Sequence, residues 1–296
     1  MVGPVLPVTA GIVLALDASR SYALSATEPP ASVLKMLQAS STASDRALAS
    51  TLLHARTAYT AYLSRGAHIN VCSGGANGNG GQPILTLMSP KFDASRPATI
   101  HTHYHGNSAT VSEDLADRGR FQKRLTETQV ADPQLVWVLP ECANPPAAYG
   151  TRTPTFECSW ENVTSQRLAT QTALAASGIR APFVETVASF HSRGYRALSQ
   201  ACQAEGGAGL QCDRLEMLDC LYKDTGDLVA KWAQTPSGQK CKRAVYLYAS
   251  NELSKAQNLA AAFSDRYERR NVSGGADAHA RTRGIYMHVF VTAGHV

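Results

Sequence analysis

From residue 67 onward the chain alternates short apolar runs with segments of helical spacing. "AHINVCS" and "ILTLMS", separated by the Gly/Asn-rich "GGANGNGG", predict two strands of a hairpin or sheet edge. "ATIHTHYH", "QLVWVLPE", "FVETVASF", "RLEMLDCLY", "RAVYLYAS" and "IYMHVFVTA" predict six more. Between them "SEDLADRGRFQKRLTET", "TSQRLATQTALAAS", "GYRALSQACQAEG", "GDLVAKWAQT" and "ELSKAQNLAAAFSDRY" have helical periodicity. Strand then helix, repeated, with near-continuous Val/Ile/Leu runs, predicts an α/β fold with a mostly parallel central sheet covered by helices on both faces. Upstream, "SVLKMLQAS" and "SDRALASTLLHARTAYTAYLSRG" predict an N-terminal helical extension, the second helix with Ser44 as N-cap and Gly66 as stop. The Gly-rich loop opens no helix and lacks a following Lys-Ser/Thr, which argues against phosphate cradling.

With 296 residues and 44% hydrophobic composition, the chain can bury the core of one large domain. The expected organisation is a leader over 1–30, the helical extension over 31–66 and the α/β domain over 67–296. A net charge of +5 with no Lys/Arg cluster gives no reason to expect nucleic acid or a membrane surface as partner. The apolar "MVGPVLPVTAGIVLAL" and the small-residue "ALSA" at 23–26 read as a signal peptide or a disordered leader, although no Lys or Arg opens the segment. No other segment is long and apolar enough to span a bilayer. Seven cysteines form no C-x-x-C pair; their spacing suits loop-closing bridges Cys142/Cys158, Cys202/Cys212 and Cys220/Cys241, with Cys72 left over. That usage points to a secreted or periplasmic protein.

Three histidines alternate in "TIHTHYHGNS". On a strand, His101, His103 and His105 share one face, as zinc ligation requires. The stretch compares with the His-x-His-x-Asp-His motif of metallo-β-lactamase-like hydrolases, but Asn107 and Ser108 stand where Asp and His are needed. A zinc-dependent hydrolase on this cluster is one alternative. Hydrogen-bonded strand residues are the other reading of His101 and His103.

"VETVASFHSRGYRALSQA" places His191-Ser192-Arg193-Gly194 between an apolar strand and a helix. A serine on a sharp strand-to-helix turn is exposed at the carboxyl edge of the sheet, beside the helix N-terminus. Gly194 supplies the small residue wanted two positions later, whereas Phe190 fills the position two before, where a small residue is usual.

Here the chain resembles the α/β-hydrolase superfamily, over roughly residues 67–296. The resemblance implies a serine hydrolase, esterase- or lipase-like, acting on a small-molecule or lipid-like acyl substrate without a cofactor. It makes Ser192 the nucleophile and gives the oxyanion hole to backbone N–H groups of His105, Gly106, Asn107 and Arg193. The Ala-Gly-His turn after "IYMHVFVTA" makes His295 the base, with the domain lacking the final helix. For the acid, Asp219 at the end of "RLEML" resembles the Leu-Asp pair of pancreatic-type lipases, and Glu252 after the penultimate strand is the alternative. A non-catalytic binding protein on a hydrolase scaffold is the competing class, raised by Phe190, the absent helix and the displaced acid.

Overall fold

A computed structural model of the chain describes residues 21–24, 31–40, 43–72, 84–105, 120–141, 143–144, 155–156, 170–171, 174–175, 177–179, 183–204, 209–248 and 253–271. Strand β1 (Ser21–Leu24), within the segment read as a leader, pairs antiparallel with β2 (His68–Cys72). Helices α1 (Ala31–Ala39), α2 (Ala43–Ala58) and α3 (Thr60–Leu63) lie between them in the chain. Helix α2 starts one residue before Ser44, and Gly66, at φ +84, ends the helical run in the left-handed conformation that glycine alone adopts freely.

Strand β3 (Ile84–Met88) pairs antiparallel with β2, as the two apolar runs flanking the Gly-rich loop predict. Then come β4 (Ala98–Tyr104), α4 (Arg120–Ala131) and β5 (Leu135–Pro140), followed by a two-stranded ribbon, β6 (Ala143–Asn144) with β7 (Thr155–Phe156). Strand β8 (Phe183–His191) leads through a short 3-10 turn into α5 (Tyr195–Gln203). The chain continues with β9 (Arg214–Leu218), α6 (Thr225–Ala233), α7 (Pro236–Gln239), β10 (Arg243–Tyr248), α8 (Leu253–Phe263) and β11 (Tyr267–Asn271).

Among the described residues nine strands form one sheet in the order β1-β2-β3-β5-β4-β8-β9-β10-β11. From β5 to β11 every neighbouring pair is parallel, which gathers the carboxyl ends of β5, β4, β8, β9 and β10 along one edge. Strand β11 corrects the sequence expectation. The helix read through "ELSKAQNLAAAFSDRY" stops at Phe263, Ser264 turns the chain at φ 55, and Tyr267 already pairs with Ala244. The run "IYMHVFVTA", expected to be the last strand, lies outside the described residues.

Two cores sandwich the sheet. On one face Ile100, Tyr104, Val136, Val138, Ala188, Phe190, Leu215, Met217 and Tyr246 pack with Ala197, Leu198, Val229, Trp232, Leu259 and Phe263 of α5, α6 and α8. On the other, Trp137, Leu139, Leu218, Val245 and Leu247 meet Leu37, Leu48, Leu52, Tyr59 and Leu63 of α1–α3 and Leu125 of α4. The N-terminal helices form one wall of the core, each large side chain contributing on the order of 1.5–3 kcal/mol by its burial. Among the described residues no helix is long and apolar enough to cross a membrane.

The cysteines at 202, 212, 220 and 241 are free, so the bridges Cys202/Cys212 and Cys220/Cys241 expected from spacing are not formed; Cys142 and Cys158 lie outside the described residues. That removes two of the three bridges on which an oxidising compartment was argued.

Candidate active site

The carboxyl edge of the central strands carries the candidate residues. Ser192 directly follows β8 and has φ 51, a left-handed backbone that costs a non-glycine residue about 1–2 kcal/mol. Strain of this kind persists only where the surroundings enforce it, and here they do. A Cβ on Gly194 would sit 2.8 Å from the carbonyl oxygen of Tyr104 and 3.5 Å from that of His105. The first turn after Ser192 is thus pressed against the end of β4, which only a glycine permits. The same contact puts His105 beside the serine turn.

Phe190 does not obstruct the turn. Its side chain is fully buried in the helix-side core and stacks on Tyr104, with ring centroids 5.0 Å apart and planes 6° from parallel. Helix α5 presents small residues, Ala197 and Ala201, to the same core, which makes room for the ring. The bulk of Phe190 is thus taken up by the helix-side core.

Parallel register places Asp219 one strand over. His191 is opposite Leu218, so Ser192 and Asp219 are the next residues of adjacent strands. Asp219 is buried, has φ 45, and its N–H donates to the Leu247 carbonyl at 2.8 Å. The Tyr222 hydroxyl donates to its Oδ2 at 3.4 Å. Arg193 is exposed after the serine, and Gly106, Asn107, Glu252 and His295 lie outside the described residues.

All three strand histidines are engaged by protein partners. His101 Nε2 lies 2.8 Å from Ser189 Oγ and 3.2 Å from Glu216 Oε2, and its ring stacks on Trp137 at 3.9 Å. The contact with Glu216 is one of charge proximity, and in the pair with Ser189 either the imidazole or the hydroxyl can donate, according to the tautomer. Ser189 Oγ is also 2.8 Å from His103 Nδ1 and donates to the Thr102 carbonyl at 3.4 Å. Glu216, fully buried, is balanced on its other oxygen by Arg214 Nε at 3.1 Å. The chain Glu216–His101–Ser189–His103 thus ties β9, β4 and β8 together beneath the edge. His105 Nε2 donates to Glu141 Oε1 at 2.9 Å, both residues buried at the ends of β4 and β5. Among the described residues no group of three or more His, Cys, Asp or Glu side chains is placed to hold a metal ion.

Glu141 and Glu216 as histidine partners escape a reading of the sequence alone. The available signal was a carboxylate inside an apolar strand, as in "RLEML", which must find a partner when buried.

Burial, reinforced by the neighbouring His101 and His105, holds the pKa of His103 well below that of a free imidazole. His103 is neutral in the folded protein, whereas the unfolded chain binds its proton below about pH 6.5. Because the unfolded state then holds more protons, stability is complete above that pH and falls below it, by up to about 1.4 kcal/mol per pH unit. Urea unfolding at about pH 7.5 and about pH 5.5 checks this. The midpoint should drop at the lower pH, and drop less in His103→Gln; an equal drop in the variant would contradict the assignment.

The strand order, the single antiparallel strand β3 inside it, and a strained serine between the fifth of its strands from β2 and a helix decide the fold. The chain has the α/β-hydrolase fold. Solved α/β-hydrolases are similar to it in structure while nearly unrelated in sequence. A ferulic acid esterase superposes with a TM-score of 0.52 at 10% identity, covering 77% of this chain and 98% of that one. A siderophore hydrolase from Aspergillus nidulans gives 0.50 at 8% identity, covering 76% and 94%. By sequence, the chain matches no family model and no curated protein. At these identities the likeness is one of fold alone.

Proposed function

We propose that the chain is a serine hydrolase that cleaves an ester or related acyl bond of a small-molecule or lipid-like substrate. The observation that carries this reading is the strained Ser192 at φ 51, with Gly194 locked against the end of β4. In the proposed reaction Ser192 Oγ attacks the acyl carbonyl while a histidine takes its proton. The oxyanion meets the N–H of Arg193 and those of the His105–Asn107 turn. The alcohol leaves with the proton from the histidine, and water, activated by the same base, releases the acid. Asp219 orients the base; Glu252 is the alternative acid. These steps require no cofactor.

The base belongs to the segment after β11, which contains His279, His288 and His295. His295 follows from the turn motif at the end of the chain. His279 is its rival because β11, the last strand among the described residues, ends at Asn271, and a catalytic histidine in this fold follows the last strand of the sheet. Eight residues reach at most about 28 Å, and Ser192 is three strands away, roughly 15 Å at inter-strand spacing. The test is hydrolysis of short-chain nitrophenyl esters by the full chain and by His279→Ala, His288→Ala and His295→Ala. One variant should lose at least about a thousandfold in kcat, with KM little changed. Full activity in all three would remove the histidine from the mechanism, and an inactive wild-type chain would defeat the ester reading.

A further inference from the structure

Cys212 and Cys241 stand at the opposite, amino-terminal edge of the sheet, away from everything the proposed chemistry uses. Each precedes a strand by two residues, and those strands, β9 and β10, are parallel neighbours with Arg214 opposite Arg243. Extending that register by two residues sets Cys212 opposite Cys241. The chain there is still held as in a sheet, since the Lys242 N–H donates to the Asp213 carbonyl at 2.7 Å. Neighbouring strands run about 4.8 Å apart, and a disulfide bridges Cα separations of about 4.4–6.8 Å. Both side chains belong to the same buried core, and Cys241 Sγ donates to the Arg243 carbonyl oxygen at 3.2 Å.

We propose that Cys212 and Cys241 are a disulfide site that clips the amino-terminal ends of β9 and β10 when the chain folds in the presence of a small-molecule disulfide such as oxidised glutathione. The Cys241 thiolate attacks one sulfur of the glutathione disulfide, and the departing glutathione thiolate takes up the proton Cys241 released. Cys212 then attacks the Cys241 sulfur of the mixed disulfide, and its proton goes to the second departing glutathione. Two protein thiols are oxidised to one disulfide, and one glutathione disulfide is reduced to two thiols. Both sulfurs are buried, so exchange precedes closure of the core and the finished bond is shielded from reductant. Cys202, close enough to act electrostatically on Cys212, is the competing partner.

The full chain is refolded in a glutathione redox buffer, free thiols are alkylated, and unreduced peptides are mapped by mass spectrometry. A Cys212–Cys241 cross-linked peptide pair is expected. Reduction should lower Tm by roughly 5–10 °C, as for a closed loop of about 30 residues, with ester hydrolysis unchanged. Both cysteines recovered alkylated, or Cys212 joined to Cys202, would overturn the proposal. In Cys202→Ser the Cys212–Cys241 pair should persist. The map is read on the unmutated chain, so the outcome depends neither on how the variant folds nor on the proposed activity.

Discussion

Ser192→Ala should lower kcat for nitrophenyl ester hydrolysis by roughly four to six orders of magnitude and abolish labelling by a fluorophosphonate. The fold should remain intact. Alanine at φ 51 bears about the same backbone cost as serine, and a buried site losing only a hydroxyl oxygen leaves almost no cavity. Ser192→Gly separates strain from chemistry. It should be equally inactive yet unfold at slightly higher temperature, because glycine adopts this backbone without penalty. Loss of activity with a fall in Tm of more than a few degrees in Ser192→Ala would instead mean that the serine is structural.

Gly194→Ala is the second large expected effect, and it acts through space. Its Cβ would lie 2.8 Å from the Tyr104 carbonyl oxygen, which belongs to a central strand and cannot turn aside as a flexible side chain would. Either the turn or the end of β4 must move by several tenths of an ångström. Ser192 sits on one of these and His105 borders the other, so the proposed nucleophile and the proposed oxyanion turn separate. Misplacement on the order of 1 Å costs about a hundredfold in rate. We expect kcat to fall ten- to a hundredfold, with a stability loss of about 1–3 kcal/mol from overpacking. Kinetics and thermal unfolding of the variant check both numbers; wild-type values for each would show that β4 and the serine turn are not in close contact.

Strands β4, β5, β8, β9 and β10 were legible in the sequence because each is buried on both faces and reads as an apolar run. Strand β11 was not, because "YERRN" carries three charges that continue the helical pattern before it. The place of Ser192 on a strand-to-helix turn could be read from the sequence since strand, turn and helix are local to it, and that of Asp219 at a strand end since it closes an apolar run. The partners of the histidines could not. Ser189 meets Glu216 across β8 and β9, and His105 meets Glu141 across β4 and β5, through a register that no local pattern encodes. The pairings Cys202/Cys212 and Cys220/Cys241 failed for the same reason, because spacing along the chain favours near neighbours and the sheet register sets Cys212 opposite Cys241.

The most direct measurement is the site of covalent labelling. The folded full chain is incubated with a fluorophosphonate, digested, and the modified residue located by mass spectrometry. The account predicts a single phosphonylated residue, Ser192, with labelling lost in Ser192→Ala. An unlabelled folded chain, or a label on any other residue, would contradict it.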